Sequence, residues 1–372
     1  MKFFFSFIFA LFWLLQNLFG HPAFIRNTLE EIDACEGRIK LKLIRTWNDD
    51  DIDDENQFFR LPKEVKIGKD GLVYILDTAN HRIQVFERSG KYVRTIGRRG
   101  KGPGDTLLPC SMAFDKDNNI VVADDGNLRI QTFDSKGNYF TSFKTIYASI
   151  ATVSVTNNNE IALHSWQNRI KNGSLILLYN IGGKIIRSIG KFHEMTRSPL
   201  KKESTFFTMD KNDNIYISYY GTPVYWKYAY TGEPLQIVIF EMPMMTRLHE
   251  NKSKREFTVT GKFKTNASSG ISIDQQERVY LVTTTRPVKK EERFYIVRGA
   301  SGTLRVTGKK NNSDNTDRFR LLVFNPSGKV IASKQLNVFC DNIYVHDDTL
   351  FVIDTYMGMK IYEYKISFIG NP

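Results

Sequence analysis

The chain reads as an all-β protein, a six-bladed β-propeller of four-stranded antiparallel blades with a projecting β-hairpin insertion in the fifth blade. Three observations predict it. The segments VYILDTANHRIQVFERSGKY (Val73–Tyr92) and VVADDGNLRIQTFDSKGNY (Val121–Tyr139) repeat at an offset of 47 residues, with Asp77, Asn80, Arg82, Ile83, Gln84, Phe86 and Gly90 recurring as Asp124, Asn127, Arg129, Ile130, Gln131, Phe133 and Gly137. Inside each segment apolar residues alternate between Asp/Asn/Gly clusters, the pattern of short antiparallel strands joined by tight turns. A four-stranded unit recurring at roughly 40–50 residues is a propeller blade.

Alignment on the turn motif gives six units. They run over Leu61–Ile96, Leu108–Phe143, Ile150–Ile189, Ser204–Phe240, a fifth that starts at Ser268 and resumes at Phe319, and Asn337–Ile366. The hairpin turns fall at Ser89-Gly90, Lys136-Gly137, Gly182-Gly183, Thr231-Gly232 and Ser327-Gly328, where glycine supplies the positive φ such turns need. The sixth unit lacks a good fourth strand, whereas an orphan strand, IKLKLIRTW, sits at Ile39–Trp47 before the first. Pairing the two closes the ring and removes an exposed sheet edge.

The ends of the chain divide differently from its centre. Residues 1–20 carry Lys2 and then an apolar run from Phe3 to Leu15. That run is too short for a membrane span of ~20 residues and suits a signal-peptide core, so 1–20 reads as a signal peptide or an N-terminal anchor. Residues 21–60 read as a linker with the ring-closing strand, 61–366 as the propeller and 367–372 as a tail. Export follows, to the periplasm, the cell surface or the medium, with membrane attachment only through an uncleaved N-terminus. Three cysteines, Cys35, Cys110 and Cys340, are too few for a disulfide framework, and Cys110 and Cys340 align at equivalent places on blades too far apart to bridge.

The residues LPKEVKIGKDGLVYILDTANHRIQVFERSGKYVRTIGRRGKGPGD and the matching second unit resemble the NHL-repeat family in its bacterial six-bladed form. Pro62, Gly71, Tyr74, Asp77, Asn80, Arg82, Ile83, Phe86 and Gly90 fit that pattern. The match weakens in the third and fifth units, where Ser165 and Thr283 take the place of Asp77. The resemblance implies the fold; the functions it implies range from scaffolds to lyases and lactonase-like hydrolases.

The candidate chemistry is sparse. The recurring Asp/Asn/Arg sets read as structural, Asp and Asn bonding the local backbone and Arg an acid on a neighbouring blade. The loop GRRGKGPGD (Gly97–Asp105) lacks the spacing of a phosphate loop, and reads as a mobile connection at the channel mouth made electropositive by Arg98 and Arg99. At the start of the innermost strands the aligned positions are Lys63, Cys110, Ala151, Thr205, Ser269 and Cys340, then Glu64, Ser111, Thr152, Phe206, Gly270 and Asp341. Lys63, Glu64, Arg98, Arg99 and Asp341 are therefore the ligand-binding candidates at the channel mouth. No histidine falls in this ring, no zinc or serine-hydrolase motif occurs, and no catalytic residue, metal site or cofactor is assigned.

The net charge is +12, and two segments that interrupt the repeat supply +4 (Pro243–Ala267) and +6 (Arg286–Arg320). Lys289, Lys290, Arg293, Lys309 and Lys310 in the second are the partner-binding candidates. Such a surface suits an acidic protein, or an anionic glycan or lipid; export disfavours nucleic acid. The sequence thus reads as an exported, non-enzymatic binding or scaffolding module. The alternative is a channel-mouth lyase or lactonase-like hydrolase using a divalent cation.

Overall fold

The protein is described by a computed structural model over residues 22–48, 58–145, 150–165, 174–191, 205–243, 247–251, 256–260, 268–289, 292, 294–298, 304–308 and 316–370. The chain begins with β1 (Ala23–Asn27), α1 (Leu29–Ala34) and β2 (Ile39–Trp47). Blade one is β3 (Pro62–Ile67), β4 (Val73–Asp77), β5 (Arg82–Phe86) and β6 (Tyr92–Ile96). Blade two is β7 (Pro109–Phe114), β8 (Ile120–Asp124), β9 (Arg129–Phe133) and β10 (Tyr139–Lys144). Blade three is β11 (Ile150–Val155), β12 (Ile161–Ser165), β13 (Ser174–Tyr179) and β14 (Ile185–Lys191). Blade four is β15 (Thr205–Met209), β16 (Ile215–Tyr219), β17 (Val224–Tyr228) and β18 (Pro234–Phe240).

A two-stranded pair follows, β19 (Arg247–Asn251) with β20 (Glu256–Thr260). Blade five opens with β21 (Ile271–Ile273) and β22 (Val279–Thr284). A second separate pair intervenes, β23 (Phe294–Arg298) with β24 (Leu304–Gly308), before β25 (Phe319–Phe324) and β26 (Val330–Leu336) complete the blade. Blade six is β27 (Asn342–His346), β28 (Thr349–Ile353) and β29 (Ile361–Phe368), with β2 as its outer strand.

The second strand of every blade is buried throughout. Its neighbours in the ring explain this: alternate side chains point to opposite sheet faces, and each face meets another blade. In β4, Val73 and Ile75 enter a core shared with Phe351, Ile353 and Ile361 of blade six. Tyr74 and Leu76 enter a different core, with Met112, Ile120 and Val122 of blade two. The buried apolar residues thus form six clusters, one at each blade-to-blade contact. Gly90, Gly137, Gly183, Gly232 and Gly328 all have φ between 83° and 97°, as the turn reading requires. Cys35, Cys110 and Cys340 are buried and unbridged.

The ring closes through β2, which pairs antiparallel with β29 from Ile39↔Phe368 to Trp47↔Ile361. Trp47 lies in the core between blades six and one and donates its Nε1–H to Glu363 Oε2 at 3.2 Å.

Upstream of it, the stretch expected to be linker is largely ordered. β1 adds a fifth, parallel strand to the outer edge of blade four. The Asn27 amide then staples blades four and five: Nδ2 donates to Gly328 O (3.0 Å) and Ile239 O (3.4 Å), and Oδ1 accepts from Val330 N at 2.8 Å. α1 is started by a capping box, in which Thr28 Oγ1 accepts from Glu31 N and the Glu31 carboxylate from Thr28 N. Ile32 and Cys35 fill the core between blades four and five. Arg320 holds the end of the helix through Asp33 (2.7 Å) and Glu36 (2.9 Å). Residues 23–47 therefore strap the outer edges of blades four, five and six in succession. The sequence carried the signal for the helix in Thr28-Leu29-Glu30-Glu31; the fifth strand is too short to show a period.

Two outcomes test this account. Deleting Arg38–Trp47 exposes the edge of β29 and opens the six-to-one core, so the variant is expected to aggregate; size-exclusion chromatography reads it. Asn27→Ala leaves three buried backbone groups without their partner and is expected to cost about 2–3 kcal/mol, with faster amide exchange confined first to residues 23–36.

Candidate functional site

The innermost strands β3, β7, β11, β15, β21 and β27 line the channel. They begin at one face of the disc, here the leading face, and end at the other, the trailing face. The connections between blades, and those between second and third strands, also lie at the leading face.

Glu64 sits at the start of β3, buried, and accepts from Ser111 Oγ and Met112 N of blade two, both at 2.8 Å. Burial pushes its carboxyl above the usual range, against the pull of Lys66 and of these donors. Glu64 thus clamps two blades together. Lys63, beside it, is half-buried.

The registers correct one position. Glu64 lies opposite Leu76, and in blade six the residue opposite the equivalent Ile353 is Asn342. Asp341 therefore corresponds to Lys63, and Cys340 falls one place before Cys110. A linear count misses this because the hairpin between β27 and β28 is tighter: Asn342 and Ile353 are 11 residues apart, where Glu64 and Leu76 are 12 apart.

The recurring Asp/Asn/Arg set bonds within its own blade. Arg82 Nε donates to Asp77 Oδ2 at 2.8 Å, and Arg129 Nε to Asp124 Oδ2 at 2.8 Å. Neighbouring strands place Asp77 directly opposite Arg82, so the acid is supplied locally and not by an adjacent blade. The rest of each side chain pins the connection that leads into the blade. Asn127 donates to Gly100 O (2.9 Å), Arg129 to Gly102 O and Asp105 O (both 2.8 Å), and Gln131 to Asp105 O (2.7 Å). The loop Gly97–Asp105 is consequently tethered along its length. Arg98 extends into solvent, 86% exposed, with Nε on Asp105 Oδ1 at 2.9 Å, and Arg99 bridges to Thr106.

Where the repeat loses part of this set, the leading face changes character. In blade five Thr283 replaces the acid opposite Arg320, and Arg320 turns to Asp33 and Glu36. In blade six Asp354 keeps the acid, but Met357 stands where the motif has asparagine. Asp354 instead accepts from Met357 N (2.8 Å) and Gly358 N (2.6 Å). Across the strand pair Asp341 accepts from Thr355 N at 2.9 Å. Burial, and for Asp354 also the charge of Asp341, raises the two carboxyls to about 6 and about 7 respectively. Asn342 Nδ2 donates to Lys63 O (3.2 Å) and Thr355 Oγ1 to Pro62 O (2.7 Å), joining this pair to blade one. Arg318 approaches from blade five. Of the predicted residues, Asp341 and Lys63 are thus brought to one mouth, while Arg98 and Arg99 are held in the tethered loop. Asp354 and Arg318 are additions; the missing asparagine at Met357 was the legible sign for the first.

A separate cavity of about 330 Å³ opens at the trailing end of the channel, lined by residues of all six blades, including Lys66, Phe114, Ser154, Asp210, Asp274 and His346. None of the five mouth candidates lines it. Asp210 and Asp274 are locked in turns, accepting from Asn212 N and Asn214 N, and from Gln276 N and Arg278 N. Among the described residues no group of three His, Cys, Asp or Glu side chains could hold a metal ion.

Of the partner-binding candidates, Lys289 is exposed, with Nζ 3.6 Å from Asp317. Lys290, Arg293, Lys309 and Lys310 lie outside the described residues. The chain leaves β18 and returns at β21 on the leading face, and leaves β22 and returns at β25 on the same face. Arg286 anchors the second excursion through Glu292 (2.6 Å) and Asp317, which holds the Glu292 carboxyl down at about 2.

Closed ring, six cores and four-stranded blades define a six-bladed propeller. Residues 54–281 match the family DUF5128, described as a 6-bladed beta-propeller, and the chain belongs to that family. No functionally curated protein matches. Among solved structures, a member of the DUF4221 family from Bacteroides vulgatus ATCC 8482 is 10% identical, with 89% of this chain and 99% of that chain covered and a TM-score of 0.61. A protein from Bacteroides fragilis NCTC 9343, provisionally described as exported, is 11% identical over 94% of this chain and 100% of that chain, with a TM-score of 0.56. These likenesses show the fold. Among the described residues no helix is long and apolar enough to cross a membrane.

The aspartate pair yields a pH prediction. Both acids titrate higher in the fold than the unfolded value of ~3.9, so the native state binds more protons between pH ~4 and pH ~7. Stability from this pair is therefore full in acid and declines as pH rises through 6 to 7. Asp341→Asn keeps an oxygen for Thr355 N and removes the repulsion. It is expected to raise the melting temperature at pH 8 by roughly 1–3 °C and to flatten the decline between pH 5 and 8, as followed by circular dichroism.

Proposed function

We propose that this chain is an exported, non-enzymatic binding module whose leading face captures an anionic partner, an acidic protein or an anionic glycan or lipid. One observation carries the reading: both basic excursions, +4 and +6 in the sequence, start and finish on the leading face of adjacent blades. Like charges mounted close together on a rigid disc add their fields at one surface. The NHL-type pattern of the first two units supports a scaffold whose contacts lie in its loops. Export is supported by the signal-like residues 1–20 and by the description of the Bacteroides fragilis neighbour.

The test is retention on heparin and on acidic-lipid vesicles at several salt concentrations. Binding is expected to weaken steeply as salt rises, since exposed charges are screened over ~8–10 Å at physiological ionic strength. Replacing Lys289, Lys290, Arg293, Lys309 and Lys310 with Ser is expected to abolish it with an unchanged melting curve. Co-elution of wild type and variant would refute the reading.

A further inference from the structure

Arg318 is buried, 7% exposed, and among the described residues its guanidinium Nε has no hydrogen-bond partner. It leans on the neighbouring Phe319 ring, 5.1 Å from the centroid. The anions in its field, Glu292 and Asp341, already accept hydrogen bonds from other groups. Glu292 is taken by Arg286, Lys289 N and Thr316 Oγ1, and Asp341 accepts from Thr355 N. In the same blade the buried Thr283 Oγ1 also lacks a partner. A guanidinium presents five donors, and burying one without an anion is costly. Two unused donor groups in one blade at the channel mouth point to a missing acceptor.

The surroundings narrow its chemistry. Phe319 and Phe339 pack with ring centroids 6.0 Å apart, which brings the Arg318 segment against the run into Asp341. Asp341 and Asp354 face each other there, and Asn342 ties them to Lys63 of blade one. We infer that Arg318, Lys63 and the Asp341–Asp354 pair, contributed by blades five, one and six, form a binding site for a small hydroxylated carboxylate at the leading mouth of the channel. The carboxylate takes the guanidinium fork, for which its two oxygens are matched. The hydroxyls take the aspartate pair, which in its singly protonated form offers both a donor and acceptors. The paired aspartates disfavour a phosphate dianion by repulsion. This site is distinct from the exposed lysines of the proposed docking face and takes a small molecule, not a surface.

The purified full chain is titrated by isothermal calorimetry with D-glucuronate, D-glucose and inorganic phosphate as probes. Saturable binding of glucuronate is expected, with glucose and phosphate weaker by about tenfold or more. Arg318→Met is expected to lose glucuronate binding by at least about tenfold while its ligand-free melting temperature stays level or rises, because a buried charge without a partner is replaced by an apolar side chain. The five-site serine variant is expected to bind glucuronate as wild type does. No saturable binding of glucuronate, equal binding of all three probes, undiminished binding in Arg318→Met, a lower melting temperature in that variant, or loss of binding in the five-site variant would each overturn the assignment.

Discussion

The structure depends on one pairing, that of β2 with β29. Each blade of the ring has two faces, and neither is covered by its own blade. Val73 and Ile75 are buried only because Phe351, Ile353 and Ile361 lie across from them, and these in turn are held in a sheet whose outer strand comes from the start of the chain. The core between blades six and one, with Trp47 at its centre, therefore exists only when the two ends of the propeller meet. The strap upstream reinforces the same closure. Asn27 and α1 fasten blades four and five before β2 reaches blade six, so the join is spread over three blades rather than resting on one strand.

Within that frame the repeat assigns a structural task to most of its charge. Asp77 and Asp124 each satisfy an asparagine, an arginine and a backbone N–H, and the arginine carries the bond on to the incoming connection. Acids in the opposite turns, such as Asp115, Asp210 and Asp274, are consumed in the same way by backbone N–H groups two and four residues on. Charge becomes available where a unit departs from the motif. Thr283 releases Arg320 to hold the N-terminal helix, and Met357 leaves Asp354 to face Asp341 without an asparagine or arginine of its own.

This pattern also explains what the sequence made legible. The number of blades, the glycine turns and the closing strand follow from period and alternation, which any window of the chain displays. The pairing partner of Arg82 does not, because it depends on the register between two strands five residues apart; read from the loop alone, the acid appeared to belong to a neighbour. The displacement of Asp341 against Glu64 also depends on register, since the hairpin between β27 and β28 is one residue tighter than that between β3 and β4. Arg318 is harder still. It lies in a segment rich in basic residues, and composition assigns all of them to solvent, whereas the fold buries this one.

The two faces of the disc therefore differ in kind. At the trailing face the buried carboxylates are locked in turns, and the 330 Å³ cavity there is bordered by groups already in use. At the leading face the connections vary in length, the motif is broken in blades three to six, and among the described residues the buried Arg318 Nε has no hydrogen-bond partner. A propeller can tolerate such departures because its stability is distributed over six cores, so altering the rim of one blade reaches at most the two it borders and leaves four untouched. The departures run from blade three to blade six, with Ser165, Tyr219, Thr283 and Met357 standing in the motif, and the strap fastens the last three of these blades. The added bonds of the strap, on blades four, five and six, thus fall where the repeat has given up some of its own.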